Sequence, residues 1–470
     1  MRRSAPEGRT APNIVLILAD DMGYGDFGCF NGGASQTPVL DQLVNEGVCL
    51  TQHYSASPVC APARASLLTG RYPHRTGAID TLEHRGLDRI ALRERTMGDL
   101  LRDAGYVTGL VGKWHNGALD DRYHPNQRGF DEFAGFCGGW QAYWDWNLDR
   151  NGTVTPSDGR YLTDVFTTEA IGFIRRHRHE PFFLHLAYNA PHYPFEAPDA
   201  DLAPFAEAGR FTGAVSSLYG MVRVMDRGVG AVLDELDTLG LADDTLVMFS
   251  SDNGPQFSGE GDYSTTRFNC GFRGAKGLVY EGGVRLPMVL RWPNGLAQRA
   301  GTTIDDLVHF TDWLPTLLSV AGTTPPTDLA IDGVDVLPLL QGAPTQVPAT
   351  RFWQWNRYTP ALEGNAAMRD GKWKLVRPAI AEAMAVSPMD LALDIDLKVN
   401  PGNRTEILRD PEPERTLPTQ PPPAQLFDIE ADPSENHDLA AAEPGRVSRM
   451  EDALAAWFED VEADRLRITD

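Results

Sequence analysis

Cysteine is scarce in this sequence: Cys29, Cys49, Cys60, Cys137 and Cys270 are the five in 470 residues. So few, and odd in number, they do not make a disulfide framework, and at least one thiol is left over. Long apolar runs are missing as well. The N-terminal segment Met1 to Thr10 leads into an apolar stretch of only about six residues from Ile14, too short for a signal-peptide core or a membrane span. No export signal is visible, so a complete chain is expected in the cytoplasm, although the recloned mature form of a periplasmic or secreted protein would look the same. Positive charge is also in deficit, with 42 Lys and Arg against 65 Asp and Glu and a formal net charge of -23. That balance argues against a nucleic-acid backbone or an anionic membrane surface as a partner. It also obliges any anion site to rely on local cations or a bound metal.

What is present is an ordinary globular mixture, 42% hydrophobic and 23% charged. The length exceeds what one core usually serves, so a catalytic domain over residues 1–350 and a smaller one over 351–470 are expected. Short apolar runs, Asn13 to Leu18, Tyr106 to Val111, Phe182 to Tyr188, Thr245 to Ser250 and Pro287 to Trp292, alternate with helix-like segments. The alternation predicts an α/β fold with a mostly parallel central sheet and helices on both faces. Leu218, Met221, Val222, Met225, Val229, Val232, Leu233 and Leu236 recur at helical spacing, with Gly240 as a plausible C-cap. After residue 350 the texture becomes α+β with an antiparallel sheet. Ala367 to Val376 reads as a hairpin turning on Asp370-Gly371, Ala424 to Ile429 as a strand, and 449–464 as a closing helix. Residues 377–424, rich in Pro and without a steady period, read as an inserted surface loop. There is no internal repeat.

Six small constellations carry chemistry. Asp20-Asp21 follows the first strand and Asp252-Asn253-Gly254 the fourth. Either alone reads as a capping or turn sequence. Together they offer oxygen donors without His or Cys, the set for a hard cation such as Ca²⁺ or Mg²⁺ rather than zinc. Cys60-Ala61-Pro62-Ala63-Arg64 opens a helix, since Pro62 suits a first turn, and places Cys60 where free N–H groups favour an anion. A buried capping cysteine is the bland alternative. Gly112-Lys113-Trp114-His115 and Pro191-His192-Tyr193-Pro194 follow two further strands, each supplying a His, and Lys113 adds a fixed cation. In Arg273-Gly274-Ala275-Lys276-Gly277 the flanking glycines let Lys276 approach a ligand. In a parallel sheet, four of these groups open onto one rim, an arrangement that unrelated residues rarely produce.

Cys60-Ala61-Pro62-Ala63-Arg64 resembles the Cys-x-Pro-x-Arg signature of type I sulfatases, of the alkaline-phosphatase-like superfamily. The blocks Asn13 to Asp21, Gly112 to His115, Ser251 to Gly254 and Gly274 to Gly283 resemble that family in its order, as do Leu426-Phe427-Asp428 and Asp432 to Asn436. The resemblance implies that a formylglycine-generating enzyme oxidises Cys60 to formylglycine, whose hydrated aldehyde supplies the attacking oxygen. It further implies that Asp20, Asp21, Asp252 and Asn253 hold one Ca²⁺ and that Arg64 steadies the hydrate. Lys113 and His115 would orient it and take part in proton transfer, Lys276 would bind the sulfate, and His192 would protonate the leaving alcohol. Ala61 and Ala63, where the family often has a hydroxyl residue, and Asn116, where Leu is common, depart from its pattern.

The expected substrate is a sugar or aryl sulfate ester. Trp140, Tyr143, Trp144 and Trp146 cluster in one segment and Trp353 and Trp355 in another. They read either as a platform for a sugar or aryl ring, with Trp140, Trp144, Trp353 and Trp355 as its candidates, or as core. Two rival readings stand beside the sulfatase: a phosphonate or phosphate diester hydrolase of the same superfamily, and a silent sulfated-glycan-binding protein in which Cys60 stays a thiol.

Overall fold

A computed structural model of the chain describes residues 11–207, 209–328 and 330–470. The reading of Met1 to Thr10 lies outside these residues. In chain order the main sheet takes β1 (Asn13–Ala19), β2 (Val48–Tyr54), β3 (Val107–Lys113), β4 (Glu132–Phe136), β5 (Asn147–Arg150), β6 (Thr153–Pro156), β7 (Phe182–Ala187), β8 (Thr245–Ser251), β9 (Arg285–Arg291), β10 (Thr302–Ile304) and β11 (Val308–His309). Across the sheet they run β10-β2-β9-β8-β1-β7-β3-β4-β5-β6, with β11 also on β2. The inner strands β8, β1, β7, β3 and β4 are all parallel. β9 runs antiparallel to both β8 and β2.

β1 lies in the middle because it has no polar face to spare. Every residue of Asn-Ile-Val-Leu-Ile-Leu-Ala is buried, as a strand covered on both sides requires. Val15, Ile17 and Ala19 enter one core with the helices Leu162–His177 and Gly213–Thr238. Ile14, Leu16 and Leu18 enter the other, with the helices Cys60–Thr69, Met97–Asp103 and Trp313–Val320. The Gly213–Thr238 helix covers the apolar repeat from Leu218 to Leu236, and Gly240 just beyond it is left-handed. Among the described residues no helix is long and apolar enough to cross a membrane, and the five cysteines are free thiols.

A separate antiparallel sheet is built from β12 (Thr350–Gln354), β13 (Ala366–Asp370), β14 (Trp373–Arg377) and β15 (Gln425–Asp428), in that spatial order. Asp370 pairs with Trp373, so the hairpin turns on Gly371-Lys372, one residue later than the Asp-Gly reading. Its outer face packs under the helix Pro444–Arg465 through Leu375, Leu426, Met450 and Leu454. Its inner face, with Trp353, Val376 and Phe427, packs on Tyr54, Val279 and Val284 of the main body.

The structure corrects the reading of 377–424 as a loop. This segment holds the helices Ala381–Met384 and Pro388–Val399. Ser387 caps the longer one by accepting the Asp390 N–H at 3.0 Å, with Pro388 in the first turn, where its missing N–H costs nothing. Asp390 then anchors the helix, accepting from Arg85 Nε at 2.7 Å, Tyr358 Oη at 2.7 Å and Ser387 Oγ at 2.8 Å.

The small sheet is tied to the main body by a dehydrated ion triad. Lys374 Nζ meets Glu281 Oε1 at 2.8 Å and Glu435 Oε1 at 2.9 Å, with all three side chains at 0% exposure. Removing the cation strands two carboxylates out of water. Lys374→Met is expected to lower stability by about 3–5 kcal/mol, read as a fall in the urea midpoint at unchanged slope. A loss below about 1 kcal/mol, the worth of an exposed pair, would contradict this.

Candidate active site

The register that builds the sheet also builds the site. Ala19 pairs with Ser251, so Asp20 and Asp21 leave β1 beside Asp252 and Asn253 leaving β8. Leu18 lies against Ala187 and Ala187 against Gly112, so the segments carrying His192 and Lys113 start from the same rim. Asp20 N–H donates to Ala190 O at 3.0 Å and Asp252 N–H to Ala19 O at 3.2 Å, which holds the chain exits together. Cys60 is the first residue of a ten-residue helix buried throughout, and Arg64 is one turn further along it. That spacing aims both side chains at one side of the helix.

Three carboxylates meet there out of water, at 0% exposure for Asp20 and Asp252 and 3% for Asp21. Three cations from separate elements answer them. Lys113 Nζ donates to Asp20 Oδ2 at 2.6 Å, Arg64 Nε to Asp252 Oδ2 at 2.9 Å, and Lys276 Nζ to Asp21 Oδ2 at 2.8 Å. Asn253 Nδ2 donates to Asp21 Oδ1 at 2.8 Å. Two buried acceptors in the cluster, Asp20 Oδ1 and Asn253 Oδ1, have no hydrogen-bond partner. Cys60 Sγ and one carboxylate oxygen each of Asp20 and Asp252 lie within 4.8 Å of one another, and so do the ligand atoms of Asp20, Asp21 and His192. Oxygens that lack partners, beside acids drawn this close, are what a hard cation would satisfy.

Burial, opposed by Lys113 and reinforced by the Asp252 charge, pushes the Asp20 carboxyl up to about 7. Burial acts the same way on Asp21, but Lys276 and His192 outweigh it and hold that carboxyl well below the usual range. The Cys60 thiol is pushed up by burial, against the pull of Lys113 and Lys276. His192 and His115 are both held well below the usual imidazole range, first by burial and then by Lys276 and Lys113 respectively. His192 keeps Nδ1 2.8 Å from the Tyr193 carbonyl oxygen and Nε2 3.6 Å from Asp21 Oδ2. Tyr143 supports this loop from beneath, its Oη donating to Asn189 O at 2.7 Å and His192 O at 2.9 Å.

A cavity of about 530 Å³ opens over the cluster, bordered by Cys60, His115, His192 and Lys276. The cavity lining carries Cys60, at a helix start, and Lys276, with the buried Lys113 and the carboxylate cluster behind them. The family profile described as Sulfatase matches residues 12–323, and one for the C-terminal part of N-sulphoglucosamine sulphohydrolase matches 272–417.

The chain belongs to the sulfatase family.

Human N-acetylgalactosamine-6-sulfatase is 38% identical over a stretch covering 70% of this chain and 66% of that protein, so the match spans just under two thirds of this relative. Mouse steryl-sulfatase is 33% identical, covering 86% of this chain and 79% of its own length. The crystal structure of Ps i-CgsB in complex with k-i-k-neocarrahexaose superimposes with a TM-score of 0.78 at 31% identity, covering 95% of this chain and 93% of that one. The curated relatives are sulfuric ester hydrolases by name, and the mostly parallel sheet with its separate four-stranded companion is the architecture this sulfatase-family chain shares with the solved one.

The ten candidate catalytic and metal-holding residues, Asp20, Asp21, Cys60, Arg64, Lys113, His115, His192, Asp252, Asn253 and Lys276, gather at this rim. The aromatic platform needs correction. Trp140 and Trp355 border the cavity, whereas Trp144 and Trp353 do not. Trp353 is at 0% exposure in the core, its indole N–H donating to Ser55 O at 2.7 Å, because the face of β12 that carries it packs inward. Trp144 is 43% exposed and packs on Tyr161 instead, with ring centroids 5.1 Å apart. The sequence reading missed Arg357, Asp394 and Lys398, which line the same cavity, and Glu83, which stands behind His115. Ser387-Pro388-Met389-Asp390, a capping pattern, is the local signal that could have revealed the helix bearing Asp394 and Lys398.

Gly112 makes the strand exit possible. It has φ 112°, and a Cβ there would lie 1.9 Å from the Ala187 carbonyl oxygen of β7. Gly112→Ala is expected to lose at least about 2 kcal/mol from left-handed strain and overpacking together. Thermal unfolding of the variant beside its parent checks this, and an unchanged midpoint would refute it.

Proposed function

We propose that this chain hydrolyses sulfate esters, with an oxygen nucleophile derived from Cys60 beside a bound Ca²⁺. The observation that carries the reading is the placement of Cys60 within 4.8 Å of oxygens of Asp20 and Asp252, in the field of Lys113 and Lys276, beside two unsatisfied acceptors. Asp20, Asp21, Asp252 and Asn253 are the ligands for the ion, all oxygen donors and so matched to Ca²⁺ rather than to a soft metal. The ion supplies positive charge next to the sulfuryl oxygens and the nucleophile. A formylglycine-generating enzyme is the maturation partner, converting Cys60 so that the position offers oxygen rather than sulfur to a hard cation.

The chain's own residues then divide the remaining work. Lys276 and Lys113 hold the anionic sulfate by charge at fixed positions. Arg64, tied to Asp252 at 2.9 Å, locks the first turn of the Cys60 helix against the rim. His192, whose Nδ1 faces the Tyr193 carbonyl, is oriented to work through Nε2, where it gives a proton to the departing alcohol oxygen. Burial and Lys276 hold its imidazole well below the usual range, so the neutral ring keeps its proton on Nδ1, and Nε2 takes up from solvent the proton it delivers once the anionic ester is bound. Trp140 and Trp355 on the cavity wall suit the apolar face of a sugar or an aryl ring. Ps i-CgsB is a relative solved with a carbohydrate ligand, which makes sulfated saccharides the first substrates to try.

The decisive experiment is release of inorganic sulfate from a panel of sulfated saccharides and aryl sulfates, set beside hydrolysis of an aryl phosphate diester. Sulfate ester turnover should dominate; faster cleavage of the diester would reassign the chain to phosphoester chemistry. Cys60→Ala should abolish turnover, and mass spectrometry of the peptide bearing Cys60 should show the aldehyde in active preparations. His192→Ala is expected to lower kcat on a sugar sulfate by about 10²–10⁴-fold. The loss should be smaller on an aryl sulfate whose leaving group needs no proton, and equal losses on both would argue against His192 as the acid.

A further inference from the structure

Behind His115 lies a second group of charges that the carboxylate cluster does not use. His115 is buried at φ 53°, and neither ring nitrogen has a hydrogen-bond partner among the described residues. Glu83 Oε1 stands 3.4 Å from its Nε2. Glu83 is itself buried, accepts the Gly139 N–H at 2.6 Å, and lies 3.7 Å from Lys398 Nζ. Lys398, from the Pro388–Val399 helix, is steadied by Asp394 at 2.5 Å and borders the cavity. Gly139 is the hinge of this approach. A Cβ there would lie 2.8 Å from Glu83 Oε1 and equally close to His115 Cε1 and Nε2, so carboxylate and imidazole come together only over a residue without a side chain.

Electrostatics says what such a contact does. Four cations face His115: Lys113 from β3, Lys398 from the cap helix, Arg64 from the Cys60 helix and Lys276 from its loop. On top of burial, they make its charged form hard to sustain. Glu83 is the carboxylate that opposes them. Glu83 is in turn pushed up to about 8 by burial, held down by Lys398, and pushed up further by Asp394 and Asp88. Lys398 opposes that rise and so favours the ionised carboxylate as charge develops on His115.

We propose that Glu83 and Lys398 are positioning residues for His115: the carboxylate receives the imidazole Nε2–H, Lys398 fixes the carboxylate, and a helix from the 377–424 segment thereby completes the reaction centre. Nδ1 is the remaining ring nitrogen. A proton taken up there from a reacting hydroxyl leaves the imidazolium facing Glu83, and the same proton goes back from Nδ1 when the hydroxyl re-forms. The arrangement follows the logic of a base oriented by a third group. Its kinetic role rests on the sulfatase reading, while the His115–Glu83 contact does not.

Two measurements separate the two. In ¹⁵N-histidine-labelled protein, with the His115 signal identified by its loss in His115→Asn, Glu83→Gln should lower the protonation midpoint of His115 by about 1 unit or more. Should Glu83→Gln not fold, Gly139→Ala, which wedges a methyl group between the two side chains, should give the same downward shift. A His115 signal that titrates as in the parent overturns the proposal, whether or not the protein hydrolyses sulfate esters. On a sulfate ester that the parent turns over, Glu83→Gln and Lys398→Met should each lower kcat at least about tenfold with KM little changed. Lys398→Arg should recover most of the activity, and the double variant should be no slower than Glu83→Gln alone. Additive losses in the double variant would show that the two residues act apart and would also overturn the proposal.

Discussion

Three carboxylates without water in one small space are the constraint on which this protein depends. Asp20, Asp21 and Asp252 cannot all stay ionised there unless positive charge is brought to within hydrogen-bond reach. The chain brings it from three distant places: Arg64 from a helix, Lys113 from a strand end and Lys276 from a loop. Each of these partners is fixed by tertiary packing, so the cluster exists only in the folded state. The chain's own cations do not finish the task. Asp20 Oδ1 and Asn253 Oδ1 are left without partners, a need that a further cation would meet.

The parallel register explains how so much charge reaches one place. With β8, β1, β7 and β3 adjacent and pointing the same way, four chain segments leave the sheet within one layer. Each can contribute a side chain without a long detour. The overall charge of -23 gives an anionic substrate no general attraction. Local positive charge does border the cavity, from Lys276, Lys398 and Arg357. Specific local cations in a negative surround favour a small anionic group on a neutral body over an extended polyanion.

The C-terminal quarter closes the cavity rather than merely supporting it. Trp355 and Arg357 follow β12, the guanidinium 5.0 Å from the indole ring centroid, and the cap helix adds Asp394 and Lys398. This wall is anchored through Asp390 on Arg85 and Tyr358, and the small sheet through Lys374 on Glu281 and Glu435. Both anchors are buried and charged, so neither the helix nor the sheet can shift without exposing an uncompensated ion. The cavity wall is therefore held as firmly as the rim it faces.

Much of this was legible in the residues alone, and the boundary is physical. Apolar runs located β1, β3, β7 and β8 because those strands are buried on both faces. Spacing located the Gly213–Thr238 helix because one of its faces is buried. The acidic pairs and the Cys60 segment stood out because their chemistry lies in adjacent residues. β2 stayed hidden, since only Val48, Cys49 and Leu50 of it form an apolar run, and β9 was visible as a strand but not in its direction. Trp353 and Trp355 look alike in sequence, yet strand register puts one in the core and the other on the cavity wall. The Pro388–Val399 helix turns Leu391, Ile395 and Val399 outward, so its apolar pattern gave no hint of what it covers. Glu83 and Lys398 are 315 positions apart and join only because that helix packs on the turn Glu83–Arg85. Local periodicity and local stereochemistry are written along the chain; which charges meet across it is decided only when the surfaces close and water leaves.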